Sequence, residues 1–600
     1  MKKQNQKISI IYQLPFLLIL AFVPLVSIIH EYNSGLQKYE WMTVNGLTDD
    51  FFLYYKSRLL IIFGALLLLC LTCREWGRVR ALFADKKIWI PILGGGAFLL
   101  GSLISVFGAV SRSYAFWGGY EQWEGFVILL VYAVLFLYGY SCYEREEEFR
   151  FPYVAITAGA LLVGLLGAFQ AFGFDYVNTD IMHAIFKSME SAVKDIEFAA
   201  SFEKGLAYST LYNPNYVGSY ASLLIPVLIG ICIVGRKIWV KVMAGLAALS
   251  LLISAIASNS LAGVAGLASS VLIFLVFLIP AWKRHKKAGW AVAGGLVLAV
   301  LILVIGRPGP VQSIFDRLTS PIQMEQDHMI EGMELRDDVL TMTSVTGKKV
   351  RMKIVYEDMF LYQFDSEKYA PVSYQNMNDA VHTLSVNLTE TENIRISEVD
   401  SSQSGTEVPM FQISDMQHQY YFVLYEGKIQ YYNVYGRTAK LRETDHAGFE
   451  GRMNFATGRG YIWSRTLPLL SKHILVGCGQ DNFIFDYPND DYVGKQNYGF
   501  GAEVITKPHN MYLQMWVQDG LFALLGFCVL VGFYIIDVFR TYFLRKRKDA
   551  SLGIATFLGI TGYLVVGFAN DSTITVAPLF WGLLGLGYAL NRNWRLKYKE

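Results

Sequence analysis

Charge is scarce in this 600-residue chain: Asp, Glu, Lys and Arg make up 17% of it, against roughly a quarter in soluble domains. That shortage, beside 53% apolar residues and 15% aromatics, argues against a string of soluble domains. The net charge is only +2, so no nucleic-acid partner is expected. Cysteine is sparse as well. Cys70, Cys73, Cys142, Cys232 and Cys528 sit in or beside apolar runs, and Cys478 stands alone in the long polar section. A disulfide-stapled ectodomain is therefore not expected. Patterns for catalytic metals are missing too: there is no HExxH, no paired CxxC and no clustered DxD in an outer loop, nor a Gly-x-Ser-x-Gly or a P-loop. Asp490-Asp491 follows Pro488-Asn489 and reads as a solvated turn. Neither a metal nor a cofactor is expected.

What is abundant is the long apolar run. Runs of about 20 such residues match the hydrocarbon thickness of a bilayer. Candidate spans are 9–29, 57–73, 88–109, 126–142, 153–172, 216–234, 240–257, 262–281, 289–305, 517–538, 552–569 and 574–590. The first is longer than a signal-peptide core and lacks a clear small-x-small cleavage site, so it reads as retained. Lys and Arg alternate between connections. They precede the first span (Lys2, Lys3, Lys7) and follow the second (Arg74 to Lys87), fourth (Arg145, Arg150), sixth (Arg236, Lys237, Lys241), eighth (Lys283 to Lys287) and tenth (Arg540 to Lys548). They also close the chain, at Arg592 to Lys599. By the positive-inside rule both termini are cytoplasmic and residues 306–516 lie outside. The expected fold is a polytopic α-helical membrane protein of about 12 transmembrane helices with an inserted extracytoplasmic β-rich domain.

Four outer segments then share one compartment: loop 111–125, loop 173–215, the turn Ser258-Asn259-Ser260, and the long section. The division expected is 1–305 for nine spans with their outer loops, a connector at 306–337, the β-rich insert at 338–445, a helical segment at 446–516, and three spans with a cytoplasmic tail at 517–600. In the insert, VLTMTSVTGKKVRMKIVY and YYFVLYEGKIQYYNVYG alternate around Gly-containing turns, a hairpin signal. Its tyrosines read as a β core with one half-exposed face, or alternatively as a glycan-stacking surface. After 452 the period becomes helical, with Trp463, Leu467, Leu470 and Ile474 on one face. A second helix begins near Pro508, placing His509 at an N-terminus that favours an anion. With no metal pattern, a phosphate-handling site would rely on Arg459, Arg465, Lys472, Lys507 and His509.

Four motifs occur in order: Asn213-Pro214-Asn215-Tyr216, Gly458-Arg459-x-x-x-Trp463, Gly477-x-Gly479-x-x-Asn482-Phe483, and His509-Asn510 followed after nine residues by Gly520. In that order, and on the outer side, they resemble the membrane core of the O-antigen ligase and Wzy-type polysaccharide polymerase family, over roughly 50–320 and 450–590 with the β insert outside. The resemblance implies a GT-C-like ligase or polymerase architecture in a bacterial cytoplasmic membrane. It also implies a metal-independent transferase that moves a glycan from an undecaprenyl-diphosphate carrier to a hydroxyl on a glycan or protein acceptor. Arg459 would bind the diphosphate and His509 would act as base on the acceptor hydroxyl or hold the donor phosphate. Asn510, Trp463, Asn213 and Asn215 would shape the site.

Two places depart from the family pattern. Ala523 stands where Gly, Thr or Tyr is usual, and Leu261 stands where a Ser-Arg-Gly turn supplies a second phosphate contact. Leu cannot replace a charge-assisted bond. Arg112, Arg465 and Lys507 are the replacements offered by position; without one, the chain reads as a non-catalytic relative that binds glycan or acts as a scaffold. Trp123 and Glu124 are sugar-contact candidates, whereas Trp117 reads as an interfacial anchor. Asn213 and Asn215 also have a plain use as helix caps. A transporter would place ionisable groups near the bilayer midplane, and these spans hold almost none.

Overall fold

The computed structural model describes residues 9–84, 86–189, 202–284, 328–356, 360–364, 383–387, 393–399, 408–415, 417–543 and 551–598. The expected span 289–305 and most of the connector 306–337 lie outside the described residues. The main helices are α1 (Ile10–Ala21), α2 (Tyr54–Leu69), α3 (Trp89–Gly108), α4 (Phe126–Cys142), α5 (Arg150–Ala171), α6 (Pro214–Val234) and α7 (Ile238–Ala257). They continue with α8 (Leu261–Arg284), α9 (Phe455–Lys472), α10 (Met511–Asp519), α11 (Leu521–Val538), α12 (Ser551–Val566) and α13 (Ala577–Lys597). Among the described residues, seven helices are both long and apolar enough to cross a bilayer, those containing α2, α3, α5, α6, α7, α8 and α11. Ile10–Leu25, Phe126–Cys142 and Ser551–Val566 are apolar but shorter. The chain is a polytopic membrane protein, expected from the sequence to have about twelve spans, of which 289–305 lies outside the described residues.

α6 is the hub. It packs against α7, α8 and α12, while α5 pairs with α7, α3 with α11 and α4 with α13. Lipid tails are as apolar as Leu, so burial cannot drive these contacts; small residues that let backbones approach do. A Cβ on Gly94 would sit 2.8 Å from the Gly526 carbonyl oxygen, and one on Gly526 would sit 2.6 Å from that of Gly94. Gly266 meets Gly562 the same way, at 2.8 Å. Ala523 is fully buried, and a Cβ on Gly101 would lie 2.9 Å from its Cβ. Ala523, a departure from the family pattern, thus fills a space where a larger side chain would part α3 from α11.

β1 (His30–Asn33) pairs antiparallel with β2 (Leu47–Asp50) in the segment joining α1 to α2, and the polar section builds two further antiparallel sheets. β3 (Ile330–Arg336), β4 (Val339–Ser344), β5 (Lys349–Tyr356) and β6 (Phe360–Phe364) form one, in that order. The other has the order β12-β11-β10-β9-β8-β7, comprising β7 (Thr383–Asn387), β8 (Asn393–Val399), β9 (Met410–Ser414), β10 (Gln419–Tyr425), β11 (Lys428–Tyr432) and β12 (Thr438–Ala439). Alternation decides the faces: Leu340, Met342, Val350, Met352 and Ile354 are buried while their neighbours are not. These residues share one core with Phe411, Ile413, Tyr420, Phe422 and Tyr431 of the second sheet. Between β10 and β11 the turn residues Glu426 and Gly427 both have positive φ, as a two-residue hairpin turn requires. Leu36, Trp41 and Met42 also enter this core, from the segment joining α1 to α2. Arg437 holds that segment by donating to the carbonyls of Gln37 (2.6 Å) and Tyr39 (3.0 Å).

Gly526→Val is expected to force α11 from α3 and lower the unfolding free energy by about 1–3 kcal/mol. The check is the melting temperature of the detergent-purified protein, with Gly532→Val, which meets open space, as the control.

Candidate functional site

The site is assembled at the start of α10. Asn510 caps this helix, its Oδ1 accepting from the backbone N–H groups of Tyr512 and Leu513, both at 3.0 Å. His509 precedes it with φ 51°, a left-handed conformation that a non-glycine residue holds only when its surroundings fix it. Those surroundings are explicit. The buried Asp571 carboxylate accepts from His509 Nδ1 at 2.8 Å and from the Asn510 N–H at 3.1 Å. The Asn510 amide donates to the Phe568 carbonyl at 2.9 Å, and Trp463 Nε1 donates to the Pro508 carbonyl at 2.7 Å. His509 is therefore gripped through its ring, its neighbour's backbone and the residue before it.

Arg459 approaches from α9. Its chain enters through three consecutive left-handed residues, Ala456, Thr457 and Gly458, at the last of which a Cβ would lie 2.7 Å from the Phe500 ring. Its Nε donates to the Ala569 carbonyl at 2.8 Å and Nη1 to the Ala456 carbonyl and Thr457 Oγ1, both at 2.9 Å. Nη2 reaches Asn570 Oδ1 at 3.3 Å. Asn570 in turn donates to the Asn215 carbonyl at 3.1 Å and Ser219 Oγ at 3.0 Å, tying the start of α6 to the same turn. Asn213 serves as the cap of α6, accepting from the Asn215 N–H at 2.9 Å.

The electrostatics favour a charged cluster. Burial alone would raise the Asp571 pKa, yet His509, Lys507 and Arg459 hold it below the usual carboxylate range. Burial would lower that of Lys507, but Tyr216, Asp571, Glu124 and Asp481 raise it above the ordinary lysine value. Its Nζ lies 5.8 Å from the Tyr216 ring centre. Glu124 joins through Oε1, which accepts from Tyr132 (2.6 Å) and Ser572 (2.9 Å); burial pushes its pKa up.

Loop 111–125 is held over the site by the third motif. The Asn482 side chain clamps both backbone groups of Ser111, accepting at 2.8 Å and donating at 3.1 Å. Asp481 Oδ2 accepts from the N–H groups of Gly119 and Glu124, both at 2.9 Å. The glycines of this motif admit backbone to backbone: a Cβ on Gly477 would fall 2.2 Å from the Gln518 carbonyl oxygen. Cys478 N–H and Gly479 N–H then donate to the Val517 and Gln518 carbonyls at the end of α10.

The fold gathers Arg459, Trp463, Lys507, His509, Asn510, Glu124, Asn213 and Asn215, directly or through the 569–572 turn. It does not gather three other candidates. Arg465 is buried elsewhere, paired with Asp491 at 3.0 Å and lying over the Tyr461 ring. Arg112 is exposed and enters none of these bonds. Trp123 packs edge-on against Tyr32 and Tyr54, with Arg58 above it, as a core residue rather than an open sugar platform. Asp571 was missed by sequence reasoning. Its signal was the polar connection 570–573 between the last two apolar runs, a fifth outer segment by the charge rule.

Residues 420–528 match the family model described as O-antigen ligase. The chain carries an O-antigen ligase family domain. The matched segment holds Arg459, Trp463, the 477–482 motif, Lys507, His509 and Asn510, and ends before Asp571. It begins within β10, so β11 and β12 belong to it, although the motif reading left the β section outside the resemblance. No curated protein matches the chain.

Two outcomes test this geometry. Asn482→Ala removes both bonds to Ser111 and is expected to cost about 2–3 kcal/mol, read by thermal unfolding with the pure protein. Asp481 is pushed by burial up to about 7 from its ordinary 3.8, with the two N–H groups opposing. The folded state thus keeps a proton that the unfolded chain loses, so stability falls as pH rises from about 4 to 7. Asp481→Asn should flatten that decline in melting temperature.

Proposed function

We propose that this chain is a membrane glycosyltransferase. It moves a glycan from an undecaprenyl-diphosphate carrier to a hydroxyl acceptor on the outer face of the bacterial cytoplasmic membrane, as a surface-polysaccharide polymerase or ligase. The observation that carries the reading is the His509–Asp571 pair facing the cations Arg459 and Lys507. An Asp571 carboxylate accepts only, so Nδ1 carries the proton, and in the neutral ring Nε2 keeps its lone pair. That tautomer suits a general base on an acceptor hydroxyl. Asp571 is a positioning residue, orienting the ring and stabilising the imidazolium that forms.

The leaving group is a diphosphate, whose charge grows as the glycosyl bond breaks. Arg459 is held beside the pair, with its guanidinium pinned to Ala456, Ala569 and Asn570. A cation fixed before the reaction costs no reorganisation during it. Leu261 leaves the family's second arginine unfilled. Of the three replacements, Arg465 is consumed by Asp491 and Arg112 is exposed, whereas Lys507 is buried among Asp571, Glu124 and Tyr216. Lys507 is our second phosphate contact. This charge supply from side chains underlies the expectation of metal-independent transfer. The alternating basic connections support cytoplasmic termini and an outer site. Leu261 also favours a second reading, a glycan-binding or scaffold relative without turnover.

Purified protein given undecaprenyl-diphosphate oligosaccharide and acceptor should give longer chains or a transferred glycan. His509→Ala and Arg459→Ala should each reduce kcat by about 100-fold or more, and Lys507→Met should raise the donor KM by about tenfold. Full complementation of a deletion by the His509 and Arg459 variants, with no turnover by the wild type, would select the scaffold reading.

A further inference from the structure

Apart from this constellation, the return between α9 and α10 brings together an imidazole, a thiol and a carboxylate. His473, Cys478 and Asp486 each offer a ligand atom, and the three atoms lie within 4.8 Å of one another. We propose that they form a binding site for a divalent transition metal of the zinc class, which staples the 473–486 segment beneath α10. None of the three touches His509, Arg459 or Lys507, and the site does not rest on the transferase reading.

The hydrogen bonds around His473 favour a cation. Nδ1 lies 3.1 Å from the Val476 carbonyl, which can only accept, so Nδ1 carries the proton in the neutral ring. Nε2 then presents a lone pair, and it faces Asp486 Oδ2 at hydrogen-bond range. Both ring nitrogens thus face acceptors, which calls for a positive charge at Nε2: a proton in a His473–Asp486 ion pair, or a metal ion that replaces it. Anchoring of the second ring nitrogen on a backbone carbonyl is also the usual outer support of a metal-bound histidine. Cys478 completes the set from the buried side; its thiol has only a 3.6 Å contact, to the Gly479 carbonyl.

Nitrogen, sulfur and oxygen donors together suit Zn²⁺ better than Mg²⁺ or Ca²⁺, which take oxygen alone. Three protein ligands leave one position for water. Asp486 also lines an open groove with Lys472, Arg442 and Asp490, so an ion has a route in. Without a metal, burial and the nearby Asp486 and Asp519 carboxylates keep the Cys478 thiol protonated. Metal binding would release that proton to solvent and convert the sulfur to thiolate. Sequence spacing does not announce this site, because that within 473–486 follows no common ligand pattern and the fold closes the triangle.

The purpose follows from what the segment holds. Gly477 donates to Ser105 Oγ at 2.8 Å, and Cys478 and Gly479 donate to the end of α10. An ion fixed to Cys478 would therefore brace the helix whose other end carries His509.

The test uses the full chain in detergent, purified without a histidine tag, stripped with chelator and titrated with Co²⁺ alone. The wild type should bind about one equivalent and develop a near-ultraviolet thiolate-to-cobalt band that Zn²⁺ abolishes. Cys478→Ser should lose the band, and His473→Gln and Asp486→Asn should each weaken Co²⁺ binding by about tenfold or more. Added Zn²⁺ should raise the wild-type melting temperature and leave that of Cys478→Ser unchanged. No band in the folded wild type, or an undiminished band in Cys478→Ser, overturns the proposal. The wild-type titration decides the matter even if a variant does not fold.

Discussion

The carboxylate of Asp571 accepts from the His509 ring through one oxygen and from the Asn510 backbone through the other. A buried carboxylate without partners would cost several kcal/mol in lost hydration. Here the cost is offset by the His509 hydrogen bond and by Lys507 and Arg459, and these three groups also hold its pKa down. The cations depend on the anion in return: Asp571 offsets the repulsion between Lys507 and Arg459. The turn 569–572, the start of α6, the kink of α9 and the cap of α10 all converge on this point.

Around that centre the structure ties loops with side chains that satisfy backbone groups. Asn482 clamps Ser111, Asp481 gathers Gly119 and Glu124, and Asn570 reaches α6. Such bonds contribute modestly when made and cost more when one partner is left unpaired in a buried place. They fix register rather than supply bulk stability, which comes from the close helix contacts and the core shared by the two sheets. The division resembles that of many sites: rigid packed elements below, irregular backbone above, held by specific polar pairs.

Much of this was legible in the residues. Apolar runs announce a polytopic membrane protein, and Thr346-Gly347 and Glu426-Gly427 announce hairpins because glycine takes a positive φ cheaply. His509, Asn510 and Arg459 stood out as polar groups beside helix starts. What local pattern could not carry was distance in sequence. Asp571 lies 62 residues from His509, and nothing within the 570–573 turn says which helix it faces. Arg465 and Trp123 stood out for their chemistry, and no local pattern announces that Arg465 pairs with Asp491 or that Trp123 packs against Tyr32 and Tyr54.

Leu36, Trp41 and Met42 lie in the core of the sheets, although they belong to the first connection of the chain. Arg437 binds Gln37 across a separation of 400 residues. At roughly 5–20 residues per second, the ribosome needs about 20–80 s to make the intervening polypeptide. Throughout that interval a tryptophan, a methionine and a leucine stand uncovered beside a membrane already receiving helices. Biogenesis of this protein therefore has a built-in vulnerable period, in which the earliest segment must stay unattached until one of the last soluble strands arrives to enclose it.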